Sequence, residues 1–204
     1  DEIKKDSFRF SFYSNCPAGA AGLNPNTRTG KISIGDFGAN TSYKTDSPAG
    51  EYGLLFVKNA ATATINGATP GSLSGGANFT LKNSAGVVTT YVINGGGAFG
   101  TQPGGAAGAS INVFFGSAAS RANVVEAIRK AINATTNADY TATDDGSDVT
   151  VTQSTVGTAG NQTNTDSGTG LTVGNFSGGT DGTGAGAEIA GHIYYQAGIA
   201  VLTS

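Results

Sequence analysis

Residues 79–93 read Phe79-Thr80-Leu81-Lys82-Asn83-Ser84-Ala85-Gly86-Val87-Val88-Thr89-Thr90-Tyr91-Val92-Ile93. Two β-forming runs flank a Ser-Ala-Gly turn. In the first, apolar residues recur every second position, the period at which successive side chains point to opposite faces of a strand. Gly86 supplies the backbone freedom that a tight reversal requires, so the stretch predicts a β-hairpin. A second hairpin is predicted further on, where Tyr140-Thr141-Ala142-Thr143 and Val149-Thr150-Val151-Thr152-Gln153 enclose Asp144-Asp145-Gly146-Ser147-Asp148.

Between the hairpins lies the one segment with helical periodicity, residues 120–134. Val124, Ile128, Ala131 and Ile132 fall at i, i+4, i+7 and i+8 and make one apolar stripe. Ser120 is a candidate N-cap, and Asn123 with Glu126 has capping-box spacing one turn later. Arg129 and Lys130 in the last turn suit the negative end of the helix dipole. Ile111-Asn112-Val113-Phe114-Phe115 predicts a further strand and Leu171-Thr172-Val173 a short one, while 94–110 reads as a long Gly/Ala/Pro loop.

Towards the N-terminus the style changes. Phe8, Phe10 and Phe12 alternate with polar residues over 7–14, predicting a half-buried strand. Residues 31–35 predict a short strand, and 52–57 predict one more fully buried. Loops are expected at 16–30 and 36–50. The C-terminal run from Ile189 to Leu202 returns to this aromatic, β-branched style.

These readings predict a mainly β fold with one helix (α+β), in which residues 1–59 and 187–204 form a small discontinuous β domain. Residues 60–181 would be an inserted Gly/Thr-rich hairpin–helix–hairpin module, joined back by a Gly-rich hinge at 182–186. The rival architecture is one continuous β-sandwich with the helix laid across it.

Composition narrows the function. Gly makes up 33 of 204 residues and only 12% are charged, which suits strands joined by tight turns. A net charge of −3 without a basic stripe gives no electrostatic footprint for nucleic acid. No apolar stretch approaches the roughly 18 residues of a membrane-spanning helix. The single cysteine, Cys16, excludes an internal disulfide and any site needing several thiolates. The sequence holds no Met, not even at position 1, and it ends in an apolar run. Both features lead us to expect a processed chain or a piece of a longer one.

The middle segment resembles a module of virion structural proteins from tailed bacteriophages, of the contractile-tailed, T4-like and cyanophage kind. The residues that carry the likeness are the 79–93 hairpin, the helix Ala122–Asn133, Val149–Asn161 with its Gly157-Thr158-Ala159-Gly160-Asn161 phrase, and Val173–Gly179. The C-terminal run Ile193–Leu202 also looks like a segment of such proteins. The resemblance implies a virion location and a place in tail, baseplate, neck, fibre or capsid decoration. It brings no catalytic residues.

Candidate chemistry is sparse. Any triad or Cys–His dyad would have to use His192, the only histidine, which sits in a strand pattern; Cys16 precedes Pro17 in a loop with no helix N-terminus to activate it. Asp144, Asp145 and Asp148 could gather oxygens for Ca²⁺, but they lack EF-hand spacing and read more simply as an acidic hairpin turn. The Gly-rich stretches 95–97 and 104–105 lack the Lys-Ser/Thr of a phosphate loop. Sequons occur at Asn40, Asn78, Asn133, Asn161 and Asn175; several arise by chance in a chain rich in Asn, Ser and Thr, and read functionally they would mean a secreted glycoprotein.

No catalytic, cofactor-binding or metal site is therefore expected. The expectation is a non-enzymatic assembly subunit whose partners are copies of itself and other virion proteins. Its long loops, 16–30, 36–50 and 94–110, would be ordered by those partners. The alternative is an extracellular or cell-surface adhesin, or a filament module, that binds glycan.

Overall fold

The computed structural model describes residues 3–15, 29–47, 50–183 and 187–203. Over them the chain is mainly β with a single helix, strands making up 48%. The first strands are β1 (Arg9–Asn15), β2 (Thr29–Gly35), β3 (Lys44–Ser47) and the long β4 (Gly50–Asn66). Then come β5 (Asn78–Lys82), β6 (Val88–Ala98), β7 (Gly105–Ala106), β8 (Ser110–Gly116) and the helix α1 (Arg121–Asn133). The rest are β9 (Thr135–Thr136), β10 (Tyr140–Asp144), β11 (Asp148–Val156), β12 (Thr165–Asp166), β13 (Thr172–Val173), β14 (Ile189–Tyr194) and β15 (Ile199–Leu202).

Both predicted hairpins form, as β5–β6 and β10–β11. At the first turn the buried Asn83 side chain accepts the N–H groups of Ala85 and Val87, and Gly86 takes φ 85°. α1 buries Val124, Val125, Ala127, Ile128, Ala131 and Ile132, a broader stripe than the four residues read from the sequence. Ser120 is the N-cap, as expected, whereas the Asn123/Glu126 spacing forms no cap. The Ser120 hydroxyl accepts the N–H of Asn123, and Asn123 Oδ1 reaches back to the Ala119 N–H, so the reciprocal cap is Ser120 with Asn123. Glu126 instead pairs with Lys130.

β4 joins the two ends of the chain to the middle. Its first half pairs with β2, β3 and β14, and its second half pairs with β11 and β13. The strand is uninterrupted across 59/60, where the change of composition predicts a boundary. The order β1-β2-β4 continues through β4 to β11-β10, and β14-β15 branches from the other part of β4. A second sheet, β12-β5-β6-β8, lies over the second half of β4, β10, β11 and α1, enclosing the larger core around Phe79, Tyr91, Ile65 and Ile128. The smaller core holds Ile34, Ala39, Leu55, Ile193 and Tyr195, drawn from both ends of the chain.

Three loop expectations need correction. Residues 36–43 are a loop as expected, but one ordered within the chain, burying Asp36, Phe37 and Ala39, while Lys44–Ser47 form β3, paired with β4. Residues 94–98 belong to β6, which pairs in parallel with β8, and the Gln102 side chain bonds to the main chain of Phe99 and Phe114. Of 16–30, Thr29 and Gly30 belong to β2; residues 16–28, and 184–186 of the expected hinge, lie outside the described residues.

Candidate interaction surface

β1 is a strand as its alternation predicts, but its apolar face is not covered. Phe10 and Phe12 are 51% and 36% exposed, and only Phe8 packs against the smaller core. The hairpin β14–β15 repeats the pattern. All four residues of β15 are exposed, Ile199 at 54% and Leu202 at 55%.

Register shows how these side chains are grouped. Phe10 lies opposite Ile34, Ile34 opposite Val57, Leu55 opposite Gly191, and Gly191 opposite Leu202. Directly opposed residues share a face, and every second residue of a strand returns to it. Phe8, Phe10, Ile34, Leu55, Ile193, Ala200 and Leu202 therefore lie on one face. There the edge strands β1 and β15 face each other across a cleft of about 230 Å³, lined by Phe8, Phe10, Ala200 and Leu202. On the reverse face Tyr52 lies opposite Tyr194, which lies opposite Ile199, and His192 lies opposite Val201. The Tyr52 ring stands edge-on to His192 at 5.5 Å and tilted to Tyr194 at 5.9 Å. The hairpin thus presents apolar or aromatic side chains on both faces.

One end of this sheet is closed by residues 3–8, held by the fully buried Asp36 carboxylate. Oδ2 accepts the Asp6 N–H at 2.6 Å and the Tyr195 hydroxyl at 3.1 Å; Oδ1 accepts the Phe8 N–H at 2.9 Å and Arg9 Nη1 at 3.0 Å. Burial, and then the Asp36 charge, push the Tyr195 hydroxyl above its ordinary value of 10. The Arg9 guanidinium and the Lys58 ammonium both lie 4.2 Å from the centre of the Phe37 ring. The Ile3 N–H reaches the Tyr195 carbonyl, and Lys5 pairs with Glu51, which also meets Lys44. The hydrogen bond from Lys5, and then Lys44, hold the Glu51 carboxyl below its ordinary 4.5.

The candidate reactive residues that the structure describes have other roles. His192 packs on Tyr52 in β14, and Cys16 lies outside the described residues. Asp144 is paired with Arg129 and Asp148 with Arg121, while the Asp145 carboxylate accepts the N–H groups of Ser147 and Asp148 and is held low by them. These are hairpin-turn and helix-anchoring roles. Among the described residues no group of three His, Cys, Asp or Glu is placed to hold a metal ion. No helix of the described residues is long and apolar enough to cross a membrane.

The surface was partly legible as alternation in β1 and as the uncharged run at the C-terminus. Sequence reasoning missed Asp36, whose four donors come from segments far apart in the chain. Fold and surface together define the class: a mainly β protein with one helix and an open, apolar sheet region built from both ends of the chain. No protein family matches the chain, and neither the curated proteins nor the solved structures include a significant match to it.

Proposed function

We propose that this chain is a non-enzymatic assembly subunit of a tailed-phage virion, placed in tail, baseplate, neck or capsid decoration and acting through protein–protein interfaces. The observation that carries the proposal is β15, apolar and exposed on both of its faces at the edge of the β14–β15 hairpin. A strand that reads as a continuous apolar run belongs where both of its faces are covered. Leaving Ile199, Val201 and Leu202 in water forfeits about 25 cal/mol for each Å² that a partner would cover. A rigid core of hairpins and one helix would carry this surface to its neighbours, and the resemblance of the middle segment to phage virion modules supplies the setting.

Immunogold labelling of density-purified phage particles with antibodies to the chain tests the proposal. Gold at a fixed place on the particle, with an integral copy number by quantitative mass spectrometry, is the expected result. Recovery of the chain in the host cell-surface fraction with none on particles would overturn it in favour of the adhesin reading.

A further inference from the structure

We infer that β15 is a self-pairing edge: two copies of this chain join antiparallel through Ile199–Leu202 about a two-fold axis normal to the sheet. The inference rests on the assembly reading above and names the partner of that surface. It starts from the backbone. Among the described residues β15 pairs with β14 alone, and the Thr203 N–H bonds to the Ala190 carbonyl. Hydrogen-bonded and non-bonded residue pairs alternate along an antiparallel ladder. Thr203, Val201 and Ile199 therefore turn their main-chain groups towards β14, and Ala200 and Leu202 turn theirs outward. Those outward groups have no main-chain partner among the described residues.

Protected edges usually carry a charge, a proline or a bulge. β15 has none of these, and residues 189–204 contain no Lys, Arg, Asp or Glu. Two copies, each with a net charge of −3, can meet here without opposing like charges.

Symmetry then selects the register. A two-fold axis normal to the sheet keeps each face on its own side, so pairing must join residues of the same parity. Centring on Val201 places Ala200 opposite the partner subunit's Leu202, and the same pair recurs on the other side of the axis. Both residues of each pair have outward main-chain groups, and each rung sets a small side chain against a large one. Centring on Ala200 would instead put Leu202 opposite a glycine in the turn.

The incoming strand lies along the open edge of β15, with its own Ala200 and Leu202 on the face that carries Phe8, Phe10, Ala200 and Leu202. On the reverse face the aromatic and aliphatic stripes of the two copies become one. Exposed apolar side chains on β1, β14 and β15 present on the order of 600 Å², close to the roughly 800 Å² per partner of a standard interface.

Sedimentation velocity of the full 204-residue chain across a concentration series tests the inference, with amide exchange read at Ala200 and Leu202. A concentration-dependent shift to twice the monomer mass is expected, with both amides protected in the dimer. Ala200→Pro removes an outward N–H at an edge position that tolerates proline, and Val201→Lys sets two ammonium groups against each other at the axis. Each variant should weaken dimerisation at least tenfold with an unchanged circular-dichroism spectrum, whereas Val201→Ile should dimerise like the parent. A wild-type chain that stays monomeric with unprotected Ala200 and Leu202, or a dimer that both variants leave intact, overturns self-pairing. Neither result bears on the particle labelling, which tests the virion reading separately.

Discussion

Asp36 is the residue on which the terminal sheet depends most directly. A carboxylate fully removed from water is tolerable only when its oxygens are saturated, and here four donors converge on it. Asp36→Asn keeps the shape but withdraws the charge from Arg9 and, in either orientation, turns its amide N–H₂ towards a main-chain N–H that can only donate. We expect a loss of about 3 kcal/mol, read as a lower urea midpoint. Tyr195→Phe removes one hydroxyl donor and should cost about 1 kcal/mol in the same measurement. None of this was legible beforehand. Gly35-Asp36-Phe37 reads as the start of a loop, because a carboxylate's burial is decided by where its donors come from. Tyr195 lies 159 positions away along the chain.

At the scale of elements, legibility follows the range of the interactions. α1 and the two hairpins were readable because cap, stripe and turn are fixed within a few residues. Ser120→Ala should lower stability by about 1 kcal/mol through the lost cap, measured by thermal unfolding. The parallel pairing of β6 with β8 was hidden, because Gly95-Gly96-Gly97 carries no side-chain pattern and reads as a loop. Close approach explains the glycines there. A Cβ on Gly116 would sit 2.2 Å from the Gly97 carbonyl oxygen, so the strands can meet only without one. Gly116→Ala forces the backbones apart and should destabilise by about 3 kcal/mol, with the loss visible as faster exchange of β8 amides. Gly191 has the same role in the β14–β15 hairpin, where an added Cβ would lie 1.9 Å from the Val201 carbonyl oxygen.

The whole molecule is uneven in its reserves. Among the described residues the larger core buries twenty-three apolar side chains and the smaller one five. Cooperative units open in the order of the contacts that hold them, so the terminal sheet should open first and by itself. Leu55→Ala, in the small core, should speed amide exchange in β1, β14 and β15 while leaving α1, β5 and β6 protected. Ile128→Ala should lower protection in α1 and the strands packed on it; if both substitutions loosened every strand alike, the two regions would be a single unit. Acid should separate them in the same way. Glu51 is held low by Lys5 and Lys44, and Asp6 is held low by the hydrogen bond from Arg9. A carboxyl depressed in the folded state contributes stability that is complete above its ordinary value, 4.5 for Glu51 and 3.8 for Asp6. That contribution is lost as pH falls through the lower folded-state value. Asp145 and Asp148 beside the helix are held low too, so acidification below about pH 4 should weaken both regions, and the smaller core, with fewer contacts in reserve, should release residues 3–9 before the helix melts. Near-ultraviolet circular dichroism of the terminal tyrosines should change ahead of the helical signal, and Glu51→Gln should flatten the early step. If β15 self-pairs as proposed, the terminal sheet, the weaker of the two regions, gains most from the partner, since anything binding only the closed form shifts the opening equilibrium by mass action. Exchange in β14 and β15 should accordingly slow as protein concentration rises, while exchange in α1 stays constant.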